Sequence, residues 1–372
     1  MKSNYKALSE LIEKVDERNA DGAITELIGV SIDKCFIKSV ANTNGTDLSK
    51  YKIIRKNEFA VSLMQVSRDS KIPIARLEDY DVAIMSPAYP IFRVKDTSVV
   101  LPEYLEMWFK RPEFDREAAF IAVGGVRGSM PWEEFAKMKL PVPPMDKQKN
   151  IVKAYKTITD RIALKQKIND NLLATTQAIY KSWFVDFEPF DNVCPSDWGN
   201  GCVDDIAEFY DSMRKPLSSL ERADMERIYP YYGAVSIVDY VDDFIFDGEY
   251  LLLSEDGIYV VDENGHPLLQ HITGKFWANN HAHILKGKSG FNEDSLYLFL
   301  ANTNMAPIVT GAAQPKINQA NLKSFSITIP TSEVIENFNA LIQPFFDQRL
   351  SNEAEVKKLE SLKDLLLSRL VN

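Results

Sequence analysis

From Lys147 to Asp186 the chain contains neither glycine nor proline, and apolar residues recur at Ile151, Tyr155, Ile158, Ile162, Ile168, Leu172, Ile179 and Trp183. That spacing predicts a helix. Asp146 stands where it can cap the start, just after the helix-excluding pair Pro143-Pro144, and Pro189 follows the end. About 40 residues at ~1.5 Å each make a rod of roughly 60 Å. A second helical pattern runs from about Ser332 to Val371 through Phe338, Leu341, Phe345, Val356, Leu359, Leu362, Leu366 and Leu370. Pro344 is expected to kink or split it near Asn339–Gln343.

The stretches before each helix have another texture. Strand-like runs occur at Ile53-Ile54, Glu58–Leu63 and Val82–Met85, then at Ser236–Val241, Tyr250–Leu253 and Ile258–Val261. A helix-like apolar stretch follows in each, Leu101–Phe109 and Asp294–Asn302. Short strands with scattered turns and one or two helices predict α+β domains. The expected organisation is a head at 1–146, a helix at 147–187, a second head at 188–331 and a second helix at 332–372.

Sliding the sequence by 187 residues superposes the two halves. Met130, Phe135, Leu140, Val142 and Pro143 fall on Ile317, Leu322, Ile327, Ile329 and Pro330. In the tails, Ile151, Ile158, Leu172 and Ile179 fall on Phe338, Phe345, Leu359 and Leu366. Nine apolar or proline matches at one offset make an internal repeat. Both heptad series are polar at the third member, Lys165 in one and Asn352 in the other. An antiparallel helix pair would set these two residues against each other near a pseudo-twofold axis, as a polar seam residue that fixes register.

Composition describes a soluble globular chain: 372 residues, 45% hydrophobic and 26% charged. No run of about twenty apolar residues predicts a membrane span, and Met1–Tyr5 lacks the apolar core of a signal peptide. Cys35, Cys194 and Cys202 show no close pair spacing and read as reduced thiols, so a cytoplasmic setting is expected. The net charge of −10 argues against nucleic acid, whose usual footprint is a basic surface. The acid is uneven: 21 basic against 22 acidic residues in 1–146, 8 against 3 in 147–187, 9 against 21 in 188–330, and 5 against 7 in 331–372.

Local motifs carry a resemblance that charge alone opposes. Ser182-Trp183-Phe184-Val185-Asp186-Phe187 closes the first long helix. Tyr229-Pro230-Tyr231-Tyr232-Gly233-Ala234 and the stretch Gly274–Leu285 lie in the second head. With the order head, long helix, head, long helix, the chain resembles the specificity subunit of type I restriction–modification systems over nearly its whole length. The resemblance implies two target-recognition domains separated by long helices that form an antiparallel coiled coil. Each domain would read half of a split, asymmetric site on double-stranded DNA, with the rod fixing their separation. The helices would dock two methyltransferase subunits, and restriction subunits would join. S-adenosylmethionine, ATP and Mg are then expected on those partners, which would also meet much of the phosphate charge.

Candidate DNA contacts follow from loops and residue types. Arg127 lies in Gly124–Ser129, and Gln314 and Lys316 occupy the matching loop of the second half. Arg68 and Lys71 follow a strand-like run, and Asp256-Gly257 is the comparable turn in the second head. Tyr231 and Tyr232 can stack, hydrogen-bond or simply be core. Asn279, Asn280 and His281 read as polar strand-end residues, and amides can pair with adenine through two hydrogen bonds. All four histidines fall between 266 and 283, which opens a second class, a zinc-dependent hydrolase. A third is a helical scaffold that never touches DNA. With no carboxylate or cysteine set evident beside the histidines, no metal is assigned. The sequence shows no Walker A loop, no methylase Asn-Pro-Pro-Tyr-type motif and no nuclease signature, so no catalytic residue is assigned.

Overall fold

The structure, a computed structural model, describes residues 4–39, 47–64, 66–123, 128–257, 260–311 and 313–371. The chain forms two compact units, residues 1–164 with 355–372 and residues 165–354. Both long helices are present, a central one at Met145–Phe184 and a C-terminal one at Ser332–Ser368. Each unit is therefore a head plus half of each helix.

In the first unit the strands are β1 (Tyr5–Ala7), β2 (Ile12–Val15), β3 (Ile28–Val30), β4 (Phe36–Lys38), β5 (Lys52–Arg55), β6 (Phe59–Val61), β7 (Ile74–Arg76), β8 (Val82–Met85), β9 (Ile91–Val94) and β10 (Lys139–Pro141). Four of them make an antiparallel sheet in the order β2-β9-β6-β7, while β1-β10, β3-β4 and β5-β8 are separate pairs. Alternation along the strands sends Phe59, Val61, Phe92 and Val94 to one core. Ala60 and Ile91 go to a second core with Ile54, Ala83 and Met85. A sheet covered on both faces explains why these strands read as unbroken apolar runs. Two helices, Pro102–Phe109 and Pro112–Ala122, each start with proline at the first turn, where its missing N–H costs nothing.

The second unit has β11 (Gly199–Cys202), β12 (Ala207–Phe209), β13 (Tyr229–Tyr232), β14 (Ile237–Val241), β15 (Phe246–Ser254), β16 (Leu269–Ala278), β17 (Ala282–Gly287) and β18 (Ser326–Ile329). Its main sheet runs β12-β17-β15-β16-β13-β14. The first four members repeat the order β2-β9-β6-β7, and β11-β18 repeats β1-β10. Alternation again divides the burial, Leu251, Leu253 and Leu285 to one core and Tyr250, Leu252 and Ile284 to the other.

Within each unit the helix halves run antiparallel. In the first, Arg161 pairs with Glu355, while Ile151, Val152 and Tyr155 share a core with Leu366, Leu367 and Leu370. In the second, Lys165 Nζ donates to Asn352 Oδ1 at 2.9 Å, and Trp183 and Phe184 meet Phe338 at ring-centroid distances of 5.6 and 4.7 Å. The fold is α+β with an internal repeat and a coiled-coil helix pair.

Three local expectations are corrected. The central helix begins at Met145, so Asp146 lies inside its first turn and Pro144 precedes it. Pro344 does not split the C-terminal helix. Proline removes one N–H from the ladder, but Ile342 and Phe346 on either side are buried in the second unit's core and hold the helix across it. In the run 258–261, Ile258 and Tyr259 lie outside the described residues, and Val261 makes only a single bridge to Pro267.

Candidate nucleic-acid interface

The loops singled out from sequence come together inside each unit. In the first, Met130 N donates to Leu63 O at 2.8 Å, which brings the segment after Gly128 beside Ser67 and Arg68. A Cβ on Gly128, whose φ is +72°, would meet Ser67 Oγ at 2.3 Å. In the second, Ile317 N donates to Glu255 O at 2.9 Å, and Asp256 bridges Lys316. Met130 and Ile317 are the same position at the 187-residue offset, so one backbone device gathers the loops in both heads. The second loop is a tight turn, with Thr310 and Lys316 exchanging backbone hydrogen bonds at 2.8 Å each way. Gly311 makes it possible: its φ is +84°, and a Cβ there would meet Gln314 O at 2.4 Å.

The residues themselves divide. Arg68 is exposed and held by Asp69 through two contacts of 2.7 and 3.0 Å, and Lys71 is exposed 4.0 Å from Asp33. Arg127 lies outside the described residues. Gln314 and Asn280 are exposed. His281 is half exposed, with Nδ1 2.7 Å from Asp256 Oδ1. Lys316 is committed to Glu255 at 2.9 Å.

Tyr231 does not present a free ring: it is 2% exposed, and its hydroxyl accepts from Leu217 N at 2.9 Å. Tyr232 packs against Phe276 with centroids 5.7 Å apart. Asn279 is buried and uses its side-chain oxygen to accept from His281 N at 2.9 Å, so it shapes the β16–β17 loop. Tyr231 and Asn279 are corrected from candidate base contacts to residues that build the loop surface, because burial and internal hydrogen bonds engage them, while Tyr232 is half-buried.

The heptad residues are divided too. Phe338 is fully buried and Asn352 is 1% exposed, but Ile151, Ile158, Lys165, Leu172, Ile179, Phe345, Leu359 and Leu366 are half-buried. The fully or nearly buried line also uses Ile162, Thr176, Tyr180, Ile342 and Phe346. Asn352 is the centre of the polar seam, since its Nδ2 also donates to Asn169 Oδ1 at 2.8 Å.

Sequence reasoning missed the group that binds the second head's loops together. Asp211 Oδ2 lies 2.6 Å from His283 Nδ1, accepts from Gln319 Nε2 at 2.8 Å and is 3.3 Å from Arg214; its Oδ1 accepts from Ile284 N at 2.9 Å. Arg214 Nη1 reaches Glu255 Oε2 at 2.6 Å and the Ala282 carbonyl at 2.7 Å. Burial works to raise both carboxyls, but His283 and Arg214 around Asp211, and Lys316 and Arg214 around Glu255, more than offset it. Both are held below the usual carboxylate range. Contacts spanning 41 to 108 residues leave no periodic trace in sequence.

The four histidines go to four separate places. His266 lies near Asp262, His271 between Glu249 and Asp294, His281 on Asp256 and His283 on Asp211. No common hydrolytic centre is formed by them. Carboxylates do stand beside them, contrary to the sequence expectation. Among the described residues, two sets lie close enough to hold an ion, Asp211 with Glu255 and His283, and Glu249 with His271 and Asp294. In the first, Arg214 and Lys316 already supply the positive charge.

With this geometry in hand, comparison with known proteins assigns the family. Residues 92–174 and 195–363 match the family model for the type I restriction modification DNA specificity domain. The chain belongs to that family. It is 36% identical over 143 residues, 37% of its length, to a putative type I restriction enzyme specificity subunit of Haemophilus influenzae; the match covers 36% of that relative. It is 23% identical over 297 residues to the MjaIX specificity subunit of Methanocaldococcus jannaschii, covering 73% of this chain and 68% of that one. The fold is similar to the crystal structure of a type I restriction–modification S subunit from M. genitalium, with a TM-score of 0.59, 13% identity, and 99% and 96% of the two chains covered. Among the described residues no helix is long and apolar enough to cross a membrane.

Proposed function

We propose that this chain is the DNA-recognition subunit of a type I restriction–modification complex, and that each unit reads one half of a split site. The observation that carries the reading is the repeated device in the two heads: the same four-strand order, with loops gathered by the Met130 and Ile317 amides. Around that device the heads differ, so the two half-sites are unrelated in sequence. In this reading Arg68 and Lys71, with Arg127, serve the first half-site. Asn280, His281 and Gln314, backed by Asp256 and Lys316, serve the second.

The chain itself neither cuts nor methylates. Methyltransferase subunits dock on the long helices, and restriction subunits complete the assembly. Those partners carry S-adenosylmethionine, ATP and Mg. They also meet most of the DNA phosphate charge, which is how a subunit of net charge −10 works on DNA. The test is methylome sequencing with and without the gene: one bipartite motif should lose its adenine methylation on deletion. A methylome unchanged by deletion sinks the reading.

A further inference from the structure

We propose that the second unit binds a divalent transition ion of the zinc class between His271 Nδ1 and Asp294 Oδ1, with Glu249 orienting the imidazole. His271 lies on β16, and Glu249 lies on β15 diagonally across from it, two residues before the cross-strand partner Leu251. Asp294 stands in the first turn of the helix Glu293–Ala301. The sequence assigned no metal to these residues, because β15, β16 and this helix meet only in the folded unit.

Glu249 Oε1 is 2.6 Å from His271 Nε2, and in the tautomer with the proton on that nitrogen Nδ1 offers a lone pair to an ion. His271 Nδ1 lies 3.5 Å from Asp294 Oδ1. That gap exceeds an ordinary hydrogen bond. It matches the bite of an ion: two donors each about 2.1 Å from zinc, spread at a tetrahedral angle, stand about 3.4 Å apart. A carboxylate behind the second ring nitrogen is also the usual support of a metal-bound histidine.

Asp294 gives the independent sign that something is due there. Its side chain is 4% exposed, yet Oδ1 makes no hydrogen bond. An unpartnered buried carboxylate oxygen is costly unless a cation or proton answers it. Besides His271, the carboxylates of Glu249, Asp347 and Glu293 lie around the Asp294 side chain. Lys286 approaches Glu293 at 3.9 Å and leaves the excess of negative charge around the gap. Both ligands are held in place, since Asp294 Oδ2 accepts from Gln343 Nε2 at 3.2 Å and the imidazole stacks on Tyr297. A cavity of about 140 Å³ beside His271, lined also by Tyr297, Arg349 and Glu353, gives room for waters to complete the coordination.

The full-length chain, stripped with chelator, should take up one zinc per molecule when titrated with zinc chloride, read by calorimetry and by metal content. Asp294→Asn and His271→Gln should abolish uptake, and Glu249→Gln should weaken it about 10- to 100-fold. His266→Ala and His281→Ala should leave it unchanged. If His271→Gln fails to fold by circular dichroism, the isosteric Asp294→Asn and the visible spectrum of the cobalt-loaded parent decide. No uptake by the parent chain at micromolar zinc, or uptake unaffected in Asp294→Asn, overturns the proposal.

Discussion

The two heads share a frame and differ in what is attached to it. Both have a four-strand order in which the last strand in sequence lies between the first and the second, and both close with a short strand pair to the segment before a long helix. In the first head β3, β4, β5 and β8 pair off separately and enclose their own small core. In the second, β13 and β14 extend the main sheet, with β13 parallel to β16. The contrast is sharpest at one residue. Ile12 pairs with Val94 as Ala207 pairs with Gly287, so Asp16 and Asp211 are equivalent, and His283 stands where the first head has Pro90. Asp16 is 62% exposed and meets Arg18 and Lys52; Asp211 is buried at the centre of the loop network. A recognition family can keep its frame and re-use equivalent positions for quite different work.

The largest test of that contrast is Asp211→Asn against Asp16→Asn. Breaking the buried network should cost about 3–5 kcal/mol, against less than about 1 kcal/mol at the exposed site, measured by denaturant unfolding. The Asp211 carboxyl is held below its ordinary value, so its extra stability is present above the unfolded-state range near 4 and is lost as pH falls through the folded value. The gap between parent and Asp211→Asn should therefore close in acid. A gap that widens as pH falls would contradict the burial and pairing of Asp211.

Phe135 and Leu322, equivalent at the 187-residue offset and both fully buried, test the shared frame. Each truncation to alanine should cost roughly 2–5 kcal/mol. Hydrogen exchange should show the loss in the strands of the unit that carries the change; equal loss in both units would break the description of two separate cores. Next in size is Gly311→Ala. It forces a left-handed backbone and a clash with Gln314 O, and should cost about 1–3 kcal/mol. On the proposed function it should erode methylation at one half-site only, as read by methylome sequencing. Smallest is Glu355→Gln, which removes the exposed partner of Arg161 and should change the melting free energy by less than about 1 kcal/mol.

Much of the frame was readable before any coordinates. The Gly- and Pro-free stretch after Pro144 gave the central helix within a few residues, and the matched apolar positions gave the repeat. Lys165 and Asn352, polar at one heptad position in both series, are 2.9 Å apart in the second unit. Pro344 misled because local propensity takes no notice of the buried Ile342 and Phe346 beside it. Tyr231 and Asn279 misled for a related reason: a residue type suited to bases is equally suited to tying a loop, and only burial separates the two. Asp211, Arg214 and Gln319 gave no signal, being single polar residues whose partners lie tens of residues away.

The sequence alone determined what depends on neighbours a few residues apart. That covers the two long helices, most of the short apolar strand runs and the doubling of the pattern, since helical spacing and short apolar runs are local features of the chain. Tertiary structure decided the strand order, the buried carboxylate at Asp211 and the gap between His271 and Asp294. Those depend on which distant segments come together and on how far each group is taken out of water. Periodicity carries no record of either.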